Sequence, residues 1–161
     1  MSKRCNGFSL IELIVIMVIM GILSAYASSR INFTSHSAAG CVETVKASIR
    51  MAQKLAIAQR SAVTVNVGDA CEVTVGGENY PALTGVNVAY SGGVSNPEDL
   101  TNPGNVTFNG LGQPFLDVAA PMLSVPMTSV RIFTISGGDV VRYVCLEPET
   151  GYVHQGVENC V

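Results

Sequence analysis

Between Phe8 and Ser29 the only charged side chain is Glu12, and from Leu13 to Leu23 no polar side chain occurs at all. As an α-helix the stretch spans roughly 33 Å, enough to cross a hydrocarbon core about 30 Å thick. Lys3 and Arg4 precede it and a long polar region follows. The short-loop charge rule therefore keeps the N-terminus cytoplasmic and exports the remainder, an assignment that Arg30 on the far side opposes only weakly. Glu12 is the anomaly. A carboxylate in such a span costs about 2.5–3.5 kcal/mol at mid-membrane and less near an end, so it calls for a partner or a neutralising proton. Glutamate is too short to reach the headgroups as lysine does, which weakens the reading of a merely tolerated residue.

The rest of the chain is of a different kind. With 48% hydrophobic and 13% charged residues over 161 positions, the low-hydrophobicity signature of disorder is absent and one compact domain is the expected content. The net charge is -3 and no basic cluster exceeds Lys3-Arg4, so an electrostatic footprint for nucleic acid is missing and none is expected as a partner.

The run Gly7-Phe8-Ser9-Leu10-Ile11-Glu12, behind the short basic leader MSKRCN and ahead of the apolar stretch, resembles the class III signal of type IV prepilins and pseudopilins. The resemblance implies a leader over residues 1–7 removed by a prepilin peptidase that cuts between Gly7 and Phe8, followed by methylation of the new Phe8 amine. It also implies residence in the bacterial inner membrane as a single-pass protein with a periplasmic domain. The implied partners are other major and minor pilins through the N-terminal helix, and an inner-membrane assembly platform. The physics of that cut stands on its own. A free amine on Phe8 and the Glu12 carboxylate lie four residues apart, roughly 6 Å along a helix, and can compensate each other within one chain or between neighbours. Among packed apolar helices an unpaired Glu12 penalises misassembly, so the charge acts as an assembly key.

The helical pattern resumes after the polar, small-residue interval from Thr34 to Gly40. Val42, Val45, Ile49, Ala52 and Ala56 form one apolar stripe, with Glu43, Lys46, Arg50 and Lys54 largely opposite. No proline precedes Pro81, so a nearly continuous helix from about Phe8 to Arg60 is sterically permitted, its amphipathic part at about 41–60. Gly21 and Gly40 are its weak points, each costing about 1 kcal/mol relative to alanine; the family resemblance implies loosening near Gly21 on assembly, and close helix packing is the plainer reading.

Beyond Arg60 the period becomes two. Val63, Val65 and Val67, the turn Gly68-Asp69-Ala70, then Cys71, Val73 and Val75 predict a hairpin. Gly76-Gly77-Glu78-Asn79 opens a loop-rich middle with strands expected at Gly85–Tyr90 and Asn105–Asn109 and a proline-punctuated stretch from Pro114 to Pro126. A second hairpin joins Val130–Ile135 to Val140–Leu146 through Ser136-Gly137-Gly138-Asp139, and a short strand follows near Tyr152. The expected architecture is α+β: a type IV pilin-like long N-terminal helix, transmembrane over residues 8–29, packed through its second half on an antiparallel sheet within a globular region 30–161. The order resembles the H-type (FimT-like) minor pilins and pseudopilins. Phe108-Asn109-Gly110-Leu111-Gly112-Gln113-Pro114 is similar to that group's turn, and the tail GGDVVRYVCLEPETGYVH to its closing hairpin. The cysteine-bearing tail is similar to a minor pilin of the mannose-sensitive haemagglutinin pilus system.

Cys5 lies in the leader; Cys41, Cys71, Cys145 and Cys160 face the periplasm, where disulfides persist, and four cysteines allow three connectivities. From Cys41 to Arg60 a helix climbs roughly 28 Å, while ten strand residues from Ser61 descend roughly 30 Å, returning Cys71 to the level of Cys41. That geometry favours Cys41–Cys71 and leaves Cys145–Cys160, which staples the C-terminal region. His36 and His154 accompany no nucleophile or metal motif, and Cys145, Glu147, Glu149 and His154 fit no standard metal spacing. No cofactor, metal or catalytic residue is expected, and the chain reads as a peptidase's substrate rather than an enzyme.

The expected function is a structural one: a minor pilin that helps initiate or prime a type IV pilus. A type II secretion pseudopilin, a major pilin, and a secreted or membrane-anchored periplasmic binding module are the alternatives. Ala25-Tyr26-Ala27 also fits ordinary signal peptidase, but that reading leaves Glu12 in the first turns of an overlong apolar region unexplained. N-terminal sequencing of the native protein separates the two: Phe8 is expected, and Ser28 would overturn the assignment.

Overall fold

The computed structural model describes residues 8–28, 33–93, 103–118, 123–156 and 160. The chain divides into two units, Met1–Asn32 and Phe33–Val161. The first holds helix α1 (Leu10–Ser28). Among its described residues the second holds helix α2 (Phe33–Gln59) and ten strands: β1 (Val63–Val67), β2 (Val73–Val75), β3 (Glu78–Tyr80), β4 (Val86–Gly92), β5 (Asn105–Phe108), β6 (Pro114–Val118), β7 (Leu123–Pro126), β8 (Arg131–Gly137), β9 (Val140–Leu146) and β10 (Val153–Gly156). Continuity of one helix across residues 29–32 lies outside the described residues.

In α2 the stripe Val42, Val45, Ile49, Ala52 and Ala56 is buried, joined by Ala38 and Cys41. It lies against strands of two separate sheets rather than one. The first has the order β3-β2-β1-β5-β6-β7, the second β10-β9-β8-β4. Alternation decides which faces turn inward. Val63, Val65 and Val67 of β1 are buried while Thr64 faces solvent, and Phe133, Ile135, Val144 and Leu146 do the same for β8 and β9. On the outer face Thr64 and Thr107 share a hydroxyl hydrogen bond of 2.8 Å, and Asn66 Nδ2 donates to Asn105 Oδ1, each across the β1–β5 register.

Two expectations need correction. Gly76-Gly77 does not open a loop: both residues take positive φ, 58° and 92°, closing a two-residue turn that suits the strand twist, so Glu78–Tyr80 returns as β3. The proline-punctuated stretch holds two strands, β6 and β7, because Pro114 starts one and Pro126 ends the other on a sheet edge, where the missing N–H is tolerated. The interval Thr34 to Gly40 is helical, in line with a helix running on to about Arg60. Ala38 and Ala39 favour helix, the other five residues favour it weakly, and Ala38 is buried in the core.

The helix ends at Gln59 in a Schellman turn made with arginine instead of glycine. Arg60 has φ 50°, Arg60 N donates to Ile57 O and Ser61 N to Ala56 O. Gln53 Nε2 then ties α2 to two turns at once, donating to Gly112 O at 3.0 Å and Thr150 O at 2.8 Å.

Two covalent links fix the body. Cys41 is joined to Cys71 with Cα atoms 6.0 Å apart, and Cys145 to Cys160 at 5.8 Å. The first fastens the helix to the β1–β2 turn, where Cys71 takes φ 63°. Arg131, only 1% exposed, is a third fastening. Its guanidinium donates to Gly92 O at 2.7 Å and to Pro103 O, and lies 5.7 Å from the Tyr90 ring centroid. Tyr90 donates its own hydroxyl to Val67 O at 2.7 Å, bridging the two sheets. Burial lowers the Arg131 pKa from its ordinary range to about 10, and burial first, then the Asp69 carboxylate, holds the Tyr90 phenol above its ordinary range.

Replacing Cys41 and Cys71 together by serine is expected to lower the unfolding free energy by about 4 kcal/mol, and replacing Cys145 and Cys160 by about 3 kcal/mol, because the first closes the longer loop. The separations are 30 and 15 residues; urea titrations measure both losses, and the reverse order would contradict the assignment. Alkali gives a second test. The raised Tyr90 pKa means the folded state keeps a proton that the unfolded chain releases, so this group's contribution is lost as pH climbs through about 10, while Arg131 acts oppositely between its folded and unfolded pKa. Tyr90→Phe is expected to lose less stability than the parent from about pH 9 to about pH 11, measured by urea midpoints; an equal loss would refute the linkage.

Candidate assembly and processing site

Helix α1 exposes its whole surface: Leu10 is 77% and Met17 67% exposed, and no residue between Leu10 and Ser28 is buried. Among the described residues it is the helix long and apolar enough to cross a membrane. An apolar rod of this kind is stable only in lipid or against other apolar surfaces.

The rod begins at a defined residue. Phe8 and Ser9 are non-helical, and Ser9 O accepts hydrogen bonds from Glu12 N at 3.1 Å and Leu13 N at 3.2 Å, which places Ser9 at the N-cap and Glu12 at the third helical position. Ser-x-x-Glu is the capping-box pattern, in which the cap hydroxyl and the carboxylate satisfy backbone amides reciprocally. A negative side chain there also meets the positive end of the helix dipole. The sequence carried this signal in Ser9-Leu10-Ile11-Glu12, and the charge argument alone missed it. Glu12 thus stands at the position from which a carboxylate can support a helix start, besides any task between subunits. Gly7 and Cys5 lie outside the described residues; Phe8 is 78% exposed at the head of the helix.

The remaining candidate residues sit in the second unit. Cys41, Cys71, Cys145 and Cys160 are all in disulfides, so none of their sulfurs is a free thiolate for metal or nucleophilic chemistry. His154 Nε2 lies 3.1 Å from Glu147 Oε1 and its ring stacks on Tyr152 with centroids 5.5 Å apart. Its register partner Cys145 is locked in the disulfide. Among the described residues no group of three metal-ligating side chains forms. His36 is exposed on α2. Sequence reasoning missed Arg131, since a buried, carbonyl-bonded arginine looks in sequence like any strand-initial charge.

Residues 2–28 match a family model described as the prokaryotic N-terminal methylation motif. No curated protein matches the chain significantly. Two crystal structures of the type IV minor pilin FimU of Pseudomonas aeruginosa PAO1 are similar in fold. One is 14% identical with a TM-score of 0.51, covering 76% of this chain and 98% of that one; the other is 15% identical with a TM-score of 0.51, covering 80% and 99%. The chain joins a prokaryotic N-terminal methylation motif to a type IV pilin-like fold.

Proposed function

We infer that the protein is a minor pilin: a structural, non-enzymatic subunit made as a prepilin, cut between Gly7 and Phe8, methylated on Phe8, and held in the inner membrane through α1 until the same helix enters a filament. The observation that carries this reading is α1 itself, wholly exposed, apolar over its length, and bearing its single acid in the first turn. Residues 1–7 then form the leader, 8–29 the membrane and assembly helix, and 30–161 the periplasmic body. The N-terminal motif match and the similarity to a minor pilin of another organism support it. Within this reading the chain primes or initiates a filament of the mannose-sensitive haemagglutinin type. It is then a trace component of purified filaments whose deletion abolishes assembly, whereas a major pilin dominates them.

A Phe8 amine freed by cleavage stands four residues before Glu12, just ahead of the helix, and neutralises that carboxylate, in its own chain or in a neighbour. The capping geometry sharpens the test, because Glu12→Ala and Glu12→Val remove charge and cap together while Glu12→Gln keeps a capping side chain and removes only the charge. All three are expected to insert and be cleaved normally, and to enter filaments at least about tenfold less than the parent, read by immunoblot of sheared filaments against membranes. Normal incorporation of Glu12→Ala and Glu12→Val would sink the assembly role. Normal incorporation of Glu12→Gln alone would reduce Glu12 to a cap.

A further inference from the structure

Among the described residues of the second unit, Leu111 is the most exposed large apolar side chain, at 80%, and it stands on a braced turn. Asn109 Oδ1 accepts from Leu111 N and from Gln113 N, each at 3.0 Å. Gly112 N donates to Asn109 O at 2.8 Å, and Asn109 Nδ2 to Gln113 Oε1 at 3.1 Å. The turn is seated on the end of α2. A Cβ on Gly110 would lie 2.9 Å from the Arg60 carbonyl carbon, and one on Gly112 2.8 Å from Ile57 Cδ1, so close approach requires both glycines. Leu111 is a preorganised knob, whose backbone loses little freedom when the side chain is covered. Beside it lies a hole. Pro114 and Phe115 of β6, Pro126 of β7, Met127 after it, and Pro148 and Glu149 of the β9–β10 turn line a cleft of about 380 Å³. Three prolines stiffen its walls. It opens at Gln113, two residues along from Leu111. Charge divides in the same way. Arg60, exposed, stands behind the knob, where its backbone meets Gly110, and Glu149, exposed, stands at the cleft. Among the described residues neither forms a salt bridge within its own chain.

We propose that this face pairs with a second copy of the chain about a two-fold axis, the Leu111 of each copy entering the cleft of the other and the Arg60 of each meeting the other's Glu149. A knob and a hole side by side on one face suit a two-fold contact, because each copy then receives what it gives. Leu111 does not fill its own cleft, since it stays exposed. Two apolar anchors in proline-walled pockets, with opposite charges at their rim, have the composition of an interface centre and its border. The charges also set the register, and a copy docked in the wrong orientation meets its like. The pairing goes beyond the minor-pilin reading and does not depend on entry into a filament.

Sedimentation velocity of the full-length oxidised chain in detergent micelles is expected to show a monomer–dimer equilibrium that follows concentration. Leu111→Ala truncates an exposed side chain, and is expected to weaken the dimer at least about tenfold while the unfolding temperature stays the same. Arg60→Glu and Glu149→Arg are each expected to weaken it at least about fivefold, and the double variant, which exchanges the two charges, to return it to within about threefold of the parent. None of these changes touches α1, so a dimer that all of them leave intact is held by the membrane helices, and that result overturns the proposal. Position is read by putting a photoreactive benzophenone amino acid in place of Leu111 in a mixture of heavy-nitrogen and ordinary chains. Cross-links are expected between copies, to residues 114, 115, 126, 127, 148 or 149. Cross-links between copies at other positions only, or none between copies, would contradict the pairing, as would a chain that stays monomeric up to about 0.1 mM. Filaments are absent from both measurements, so the outcome is independent of how the Glu12 variants incorporate.

Discussion

The second unit depends on one burial event: the stripe of α2 running from Cys41 to Ala56 closes over strands from both sheets at once. Neither sheet has a covered inner face without it. The first would leave Val63, Val65, Val67, Val73 and Val75 in water, the second Phe133, Ile135, Val144 and Leu146. At about 25 cal/mol per Å² of apolar surface this is the main favourable contribution to folding. The helix end is then positioned by polar contacts, Gln53 holding two turns and Arg60 closing the last helical turn.

Where the core is simple in pattern, the sequence was legible. The α2 stripe, the valine alternation of β1 and β2, and the β8–β9 hairpin follow from periods of 3.6 and 2, because burial on one face enforces them. What pattern cannot show is how strands group. Tyr90 bridges the sheets through one hydroxyl to Val67 O, and nothing local to Tyr90 marks it for that. The same holds for Arg131, whose acceptors Gly92 O and Pro103 O are far away in sequence. The Thr34–Gly40 interval is helical although five of its seven residues favour helix weakly; Thr34 and Ala38 lie there against glycines in β8 and in the turns beside β4 and β8.

At the candidate site the position is reversed. Glu12 was conspicuous because an acid in an apolar run is costly wherever it lies. Its place in a capping pattern needed only four residues, yet charge drew attention away from backbone amides. Both descriptions now apply to one side chain, and they act at different distances: the cap within the first turn of its own helix, the charge on whatever lies beside it.

The position of Ser9 has a consequence for catalysis by another protein. A protease active site takes its substrate as an extended strand, and a helical peptide bond must be unwound before it can be cut. By starting the helix at Leu10, the cap leaves Phe8 and Ser9 outside the helix, so in the proposed reading a cut ahead of Phe8 would require no loss of helical structure in the rod behind it. The same serine fixes where the first turn begins, and with it the direction in which each side chain of the rod points.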